Sequence, residues 1–170
     1  MDVLWAPWRM QYIKSPGKDP SKCLFCDKLE NVRDRENLVL YRGTHTFVVM
    51  NPYPYNNGHI MVLPYQHVPD LQGMHDEVLL DLMKVTRHSL DCLKKAFNPE
   101  GFNTGINFGK VAGAGLGEHL HIHIVPRWAG DASFMTVLGE VRVIPEHLMC
   151  TYDSLYPLFN QSGSEEKTRT

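Results

Sequence analysis

Residues 119 to 125 read His119, Leu120, His121, Ile122, His123, Ile124, Val125. Strict alternation of this kind belongs to an extended strand, where successive side chains point to opposite faces. Three imidazoles therefore share one face, and Leu120, Ile122 and Ile124 share the other. The aliphatic face needs a covering layer, which makes the strand part of a sheet with one side packed against a core. The imidazole face is left for chemistry, because histidine is the side chain whose ordinary pKa lies nearest neutrality. The bland alternative is a strand whose water-facing polar residues happen to be histidines. Pro126 and Arg127 on one side and a glycine-rich run on the other look instead like two walls of a site.

The rest of the chain supplies strands and one long helix. Short aliphatic or β-branched runs bounded by turn residues predict strands at Leu38 to Arg42, Thr46 to Asn51 and His59 to Pro64. The period then changes. Val78, Leu82, Val85 and Leu93 recur at helical spacing from about His75 to Phe97, with Leu79, Met83, Leu90 and Phe97 expected in the same stripe and Pro99 as the stop. Strand pattern returns at Phe102 to Phe108 and Glu118 to Arg127. A run at Val141 to Ile144 and a short helical pattern to Phe159 close the domain. Hairpin-like strands interrupted by one long helix predict an α+β fold: a mainly antiparallel sheet, one long helix and a short C-terminal helix.

At 170 residues the chain is of single-domain size. We expect an aromatic N-terminal arm over residues 1–22, carrying Trp5 and Trp8 and packing on the body or a partner chain. The folded domain is expected over 23–160 and a disordered polar tail over 161–170. Lys and Arg number 17 against 19 Asp and Glu, a net charge of −2. That balance gives no field for gripping long nucleic acid or an anionic membrane, while a small anion held by local groups is compatible with it. No stretch approaches the roughly 20 apolar residues of a membrane span, and the start lacks a basic-then-apolar signal segment. A cytoplasmic protein is expected. In that setting Cys23 and Cys26, a Cys-X-X-Cys pair, point to metal or redox work rather than a disulfide, while Cys92 and Cys150 read as ordinary buried thiols.

Gly109, Gly113, Gly115 and Gly117 stand just before the histidine strand. A glycine-rich hairpin connection explains them as well as a site does, but glycine also lets backbone amides approach an anion closely. Beside three imidazoles such a loop suits phosphate, since histidine is a recognised covalent nucleophile and its neighbours can donate protons and stabilise charge.

These residues resemble the histidine triad family of nucleotide-binding proteins, whose motif is His-φ-His-φ-His-φ-φ. The resemblance extends upstream through Asn51-Pro52-Tyr53-Pro54-Tyr55-Asn56-Asn57-Gly58-His59 and covers roughly residues 23 to 130. It implies a histidine triad fold in which His121 is the nucleophile that accepts a nucleoside monophosphoryl group, with His119 and His123 flanking it. By the same resemblance Asn51 contacts the ribose, His59 supports the histidine cluster, and Asn107 with the Gly113, Gly115 and Gly117 loop lines the polyphosphate path. Cys23, Cys26, His67 and His119 are the set that the zinc-containing branch would nominate for a structural zinc. Two-fold homodimers, with the long helix and a strand at the interface, are usual in the family.

Within the family, the tryptophan-rich opening, the Asn-Pro-Tyr-Pro-Tyr-Asn run and Pro126-Arg127-Trp128 look most like the bacterial diadenosine tetraphosphate phosphorylases. That branch implies an adenine dinucleoside polyphosphate substrate, inorganic phosphate as cosubstrate and ADP with ATP as products. Where hydrolase branches carry Gln followed by Ser or Thr, this chain has Ala114-Gly115-Leu116-Gly117, which weakens the hydrolase reading. That reading, a hydrolase of dinucleoside polyphosphates or nucleoside phosphoramidates releasing AMP, is the alternative. Lys110, Arg127 and Arg9 are candidates for the phosphate site. Trp128 is either packing material or a stacking surface for the base.

Two further readings belong to other classes. One is a hydrolase using a catalytic metal on all three histidines, but first and third would stand roughly 13 Å apart along a strand at about 3.3 Å per residue, too far for one ion. The other is a nucleotide-binding scaffold with vestigial catalysis.

Overall fold

The computed structural model describes residues 23–30, 32–112, 119–131 and 146–161. The expected N-terminal arm, the loop glycines 113, 115 and 117, the strand-like run at 141–144 and the tail beyond Gln161 lie outside them.

Five strands form one antiparallel sheet: β1 (Val39–Arg42), β2 (Thr46–Met50), β3 (Ile60–Pro64), β4 (Gly101–Ile106) and β5 (Ile122–Arg127), in the order β1-β2-β3-β5-β4. Register sets which side chains share a face. Ile60 pairs with Ile124 and Met61 with His123, while Met61 also faces Val49 across β2. His123, Met61 and Val49 therefore share one face, and Ile60, Ile122 and Ile124 the other. Asn51 and His59 continue the histidine-side parity, and the Asn51 N–H donates to the His59 carbonyl at 3.0 Å.

The aliphatic face is covered by α3 (Asp76–Phe97), which packs across β2, β3 and β5. Asp76 and Glu77 sit in its first turn and Lys94 and Lys95 in its last, complementing the helix dipole, and Asn98 closes it in the left-handed conformation. Its buried stripe is Leu82, Val85, Thr86, Ser89, Cys92 and Leu93. Met83, expected in that stripe, is 60% exposed: it follows Leu82 by about 100° around the helix and points away from the sheet. A last helix, α4 (Leu148–Asn160), packs on α3 and β1. The Tyr152 hydroxyl donates to the Val39 carbonyl at 3.0 Å and the Asn160 amide to that of Leu40 at 2.8 Å. Cys150, expected to be buried, is exposed on its first turn.

Two short helices precede the sheet, α1 (Leu24–Glu30) and α2 (Asp34–Asn37). The sequence reading placed no helix at the cysteine pair. A seven-residue helix gives little periodicity, and α1 buries only Phe25. Among the described residues no helix is long and apolar enough to cross a membrane.

Candidate active site and metal centre

The three histidines do not form an even row. The β5 ladder begins at Ile122, so His119 and His121 precede it on chain that is no longer held to strand alternation, and their rings part company. His119 is buried and turns toward α1, where its Nδ1 lies 3.4 Å from Cys23 Sγ and 3.6 Å from Cys26 Sγ. His121 and His123 stay together, ring centroids 4.6 Å apart and nearly perpendicular.

Hydrogen bonds fix which nitrogen of each ring carries a proton. The His121 Nδ1 donates to the His119 carbonyl at 2.9 Å. A carbonyl can only accept, so the neutral His121 ring carries its lone pair on Nε2. Burial lowers the His121 pKa from the ordinary histidine value, partly offset by this hydrogen bond, and favours that neutral ring. His59, 1% exposed, is set from the other side. The Tyr55 N–H donates to His59 Nδ1 at 3.1 Å, so the neutral His59 ring carries its proton on Nε2 and donates it to His123 Nδ1 at 3.0 Å. The neutral His123 ring then has its proton on Nε2. The Tyr55 ring stacks on His59 at 4.7 Å between centroids. One ring thus offers a nucleophilic lone pair and its neighbour a proton.

The segment before His59 is anchored on two sides. Asn56 Nδ2 donates to the Pro126 carbonyl at 3.1 Å and to Asp131 Oδ2 at 2.8 Å. Asn57 meets Thr151 of α4, with 3.0 Å between Oδ1 and Oγ1. Gly58 adopts φ +71°, and a Cβ there would stand 3.2 Å from Leu93, Phe97 and Pro126 atoms. A cleft of about 470 Å³ opens beside this segment, walled by Met50, Pro54, His59, Glu146, His147 and Thr151.

The other expected contacts are distributed unevenly. Asn51 closes its own turn, its Oδ1 accepting the Tyr53 N–H at 2.9 Å. Asn107 is half-buried just after β4. Gly109, described with φ +77°, leads into the loop whose other glycines are not described. Trp128 is half-buried, and its N–H reaches Asp131 at 3.2 Å. Arg127, a candidate for the phosphate site, is bound to Asp131 through Nε at 2.6 Å and Nη2 at 2.7 Å, and to Asn103 through Nη1 at 2.8 Å. The Arg127 guanidinium in turn pulls the Asp131 carboxyl down to about 2, with the Trp128 N–H and the Asn56 amide assisting. The side chain of Lys110 and all of Arg9 lie outside the described residues.

Cys23, Cys26, His67 and His119 converge, their four ligand atoms all within 4.8 Å of one another. Cys26 Sγ lies 3.5 Å from His67 Nδ1. Ligands of a tetrahedral zinc, at bonds of 2.0–2.3 Å, stand about 3.3–3.8 Å apart; the Cys23–His119, Cys26–His119 and Cys26–His67 separations of 3.4, 3.6 and 3.5 Å fall in that range, and the remaining pairs lie within 4.8 Å. The donor chemistry fits as well. His119 Nε2 donates to the Pro64 carbonyl at 2.9 Å, which leaves the lone pair on Nδ1 facing the sulfurs. Burial, with Cys23, Glu30 and Asp27 nearby, pushes the Cys26 thiol up to about 11; a bound cation would oppose that shift. This is the one group of three or more such ligands among the described residues, and His121 and His123 are not in it.

Sequence reasoning missed Phe25 and Asp131, and it gave Tyr55 and Asn56, both in the run that carries the resemblance, no individual role. Phe25, on the helix between the two cysteines, packs its ring at 5.7 Å from His119 and 5.3 Å from His121. The Asn-Asn-Gly run before His59 was the available signal for a built turn.

Comparison with known proteins agrees with this geometry. The HIT domain profile matches residues 32–130. An AP-4-A phosphorylase of Mycobacterium tuberculosis is 41% identical over 154 residues, covering 87% of this chain and 79% of that protein. A bis(5'-nucleosyl)-tetraphosphatase (asymmetrical) of Schizosaccharomyces pombe is 34% identical over 95 residues, covering 56% of this chain and 52% of that one. Among solved structures, a hypothetical histidine triad nucleotide-binding protein of Sulfolobus tokodaii matches with a TM-score of 0.63 at 26% identity, over 81% of this chain and 89% of that one. A Zn-bound histidine triad family protein of Mycobacterium smegmatis has the same fold, with a TM-score of 0.66 at 24% identity over 84% and 96% of the two chains. A five-stranded antiparallel sheet that carries its histidines on the face away from a long helix defines the class, and this chain belongs to the histidine triad family.

Proposed function

We propose that this chain is a nucleotidyl-transferring enzyme that cleaves diadenosine tetraphosphate by phosphorolysis, giving ADP and ATP. The observation that carries the reading is the pair of opposed tautomers: Nε2 of His121 holds a lone pair, while the His59–His123 contact leaves a proton on Nε2 of His123. Likeness to the Mycobacterium tuberculosis phosphorylase supports the choice of substrate.

In the first step His121 Nε2 attacks the α-phosphorus. The P–O bond to the remaining polyphosphate breaks, and ATP departs as its bridging oxygen takes the proton of His123 Nε2. In the second, a phosphate oxygen attacks the adenylyl-histidine as the phosphate's proton passes to His123 Nε2, the P–N bond breaks, ADP forms and both His121 and His123 return to their neutral rings. Asn51 holds the ribose, and Trp128 offers a face for the base. Asn107 with Gly113, Gly115 and Gly117 lines the phosphates. His119, whose Nδ1 faces the cysteines, serves the site through its carbonyl and through the metal set. Cys23, Cys26, His67 and His119 would hold a structural zinc beside Phe25 of α1. With four protein side chains as ligands, such an ion would serve the fold and would not activate water.

Arg127 is committed to Asp131 and Asn103, so the cosubstrate phosphate falls to Lys110, Arg9 or backbone amides. A cytoplasmic homodimer is the assembly we favour: β4 ends the described sheet with Asn103, Thr104 and Gly105 exposed, and Leu80 and Met83 are exposed on α3. The alternative, hydrolysis releasing AMP, is favoured by the fission yeast tetraphosphatase likeness.

Rapid quenching of the enzyme with diadenosine tetraphosphate in the absence of phosphate tests the covalent step. An adenylyl group on His121 is expected, and H121N should lose turnover by about 10⁴-fold or more while still binding nucleotide. Wild-type turnover by H121N would refute the assignment.

A further inference from the structure

We propose that Asp131 is a positioning residue for proton donation by His123, acting through Asn56; this rests on the functional reading above. Asp131 lies four residues beyond the end of β5, with its side chain only 10% exposed. Its carboxylate ties the segment before His59 to the end of β5. Oδ2 accepts from Asn56 Nδ2 at 2.8 Å, Arg127 Nε at 2.6 Å and the Trp128 N–H at 3.2 Å, and Oδ1 accepts from Arg127 Nη2 at 2.7 Å. A group needed only to neutralise Arg127 would not have to reach Asn56.

Asn56 turns that grip toward the site. The two hydrogens of its amide go to Asp131 and to the Pro126 carbonyl, and its Oδ1 accepts the Asn57 N–H at 3.0 Å. The amide has one orientation that meets all three, because exchanging oxygen and nitrogen would set an oxygen against Asp131 and the Pro126 carbonyl. The Asn56 carbonyl accepts the His59 N–H at 3.2 Å, and the preceding residue, Tyr55, supplies the N–H that holds His59 Nδ1. The geometry runs unbroken from Asp131 through Asn56 to the tautomer of His59, and from there to the proton on His123. Hydrogen bonds to a charged acceptor are the stronger kind, which suits an anchor for a loop.

The test uses aryl esters of AMP with phenols of graded acidity, read as single-turnover phenol release by wild type, D131A and D131A/N56A. An acidic phenol leaves without a proton and a basic one does not. D131A should lose about tenfold or more with the most basic phenol and less than about threefold with the most acidic. The double variant should fall no further than D131A alone, since both changes cut one connection. In parallel, ¹⁵N spectra of histidine-labelled protein should show Nε2–H tautomers at His59 and His123 in wild type and a mixture in D131A. If D131A does not fold, N56D, which keeps the shape and the Asn57 contact but sets an oxygen against Asp131, takes its place. Equal losses along the whole series, a further loss in the double variant beyond D131A, or unchanged tautomers would overturn the proposal. A wild-type enzyme that releases no phenol would instead sink the functional reading, leaving the tautomers to decide the role of Asp131.

Discussion

The main-chain carbonyl of His119 accepts the Nδ1 proton of His121 at 2.9 Å. One residue thereby serves two centres: its ring faces Cys23 and Cys26, and its backbone holds the neighbouring imidazole in the tautomer that exposes a lone pair on Nε2. Phe25 touches both rings from α1. Anything that loosens the cysteine–histidine cluster therefore reaches His121 within one residue.

Metal content and folding should move together. C26S is expected to bind little zinc by elemental analysis and to melt at least about 5 °C lower than wild type, since a domain of this size shifts roughly 2–4 °C per kcal/mol. In wild type, chelator should reduce activity only as fast as it removes the structural ion. Instantaneous loss of activity with unchanged melting would contradict a structural role.

Replacing Gly58 should be costly out of proportion to the change. Its φ of +71° lies in the left-handed region, and a Cβ meets Leu93, Phe97 and Pro126 atoms at 3.2 Å. G58A is expected to lose about 1–3 kcal/mol of stability in urea melts. An unchanged midpoint would mean that the segment before His59 is not held as tightly as its contacts imply.

Much of this arrangement was legible in the residues and some was not. Alternation at Leu120, Ile122 and Ile124 foretold a sheet with one covered face, and the helical stripe around Leu82, Val85 and Leu93 foretold what covers it. Resemblance nominated Cys23, Cys26, His67 and His119, which the fold brings together. The parting of His119 from His121 and His123 was not legible, because alternation predicts a shared face only while the strand lasts, and the ladder starts at Ile122. Nor was the role of Asp131 readable, since its partner Asn56 lies 75 positions earlier. Arg127 looked like a free cation in sequence for a different reason: its neutralising partner Asp131 is only four residues on, but nothing in composition says which carboxylate turns toward it.

Asp131 also sets an acid limit. Its carboxyl is held at about 2, below the ordinary 3.8, chiefly by Arg127. A lowered folded-state pKa stabilises the fold fully above the unfolded value and loses that contribution as pH falls through the folded one. The melting difference between wild type and D131N should be constant above about pH 5 and shrink from about pH 4 toward pH 2. A difference that is flat across that window would show that the ion pair does not operate in solution.

Phosphorolysis itself is tested most directly by turnover of diadenosine tetraphosphate with ¹⁸O-labelled inorganic phosphate, with the products separated and weighed by mass spectrometry. Label in the β-phosphate of ADP, equimolar unlabelled ATP and negligible turnover when phosphate is omitted are expected. AMP released at the same rate with or without phosphate, and no labelled ADP, would contradict phosphorolysis and make the protein a hydrolase.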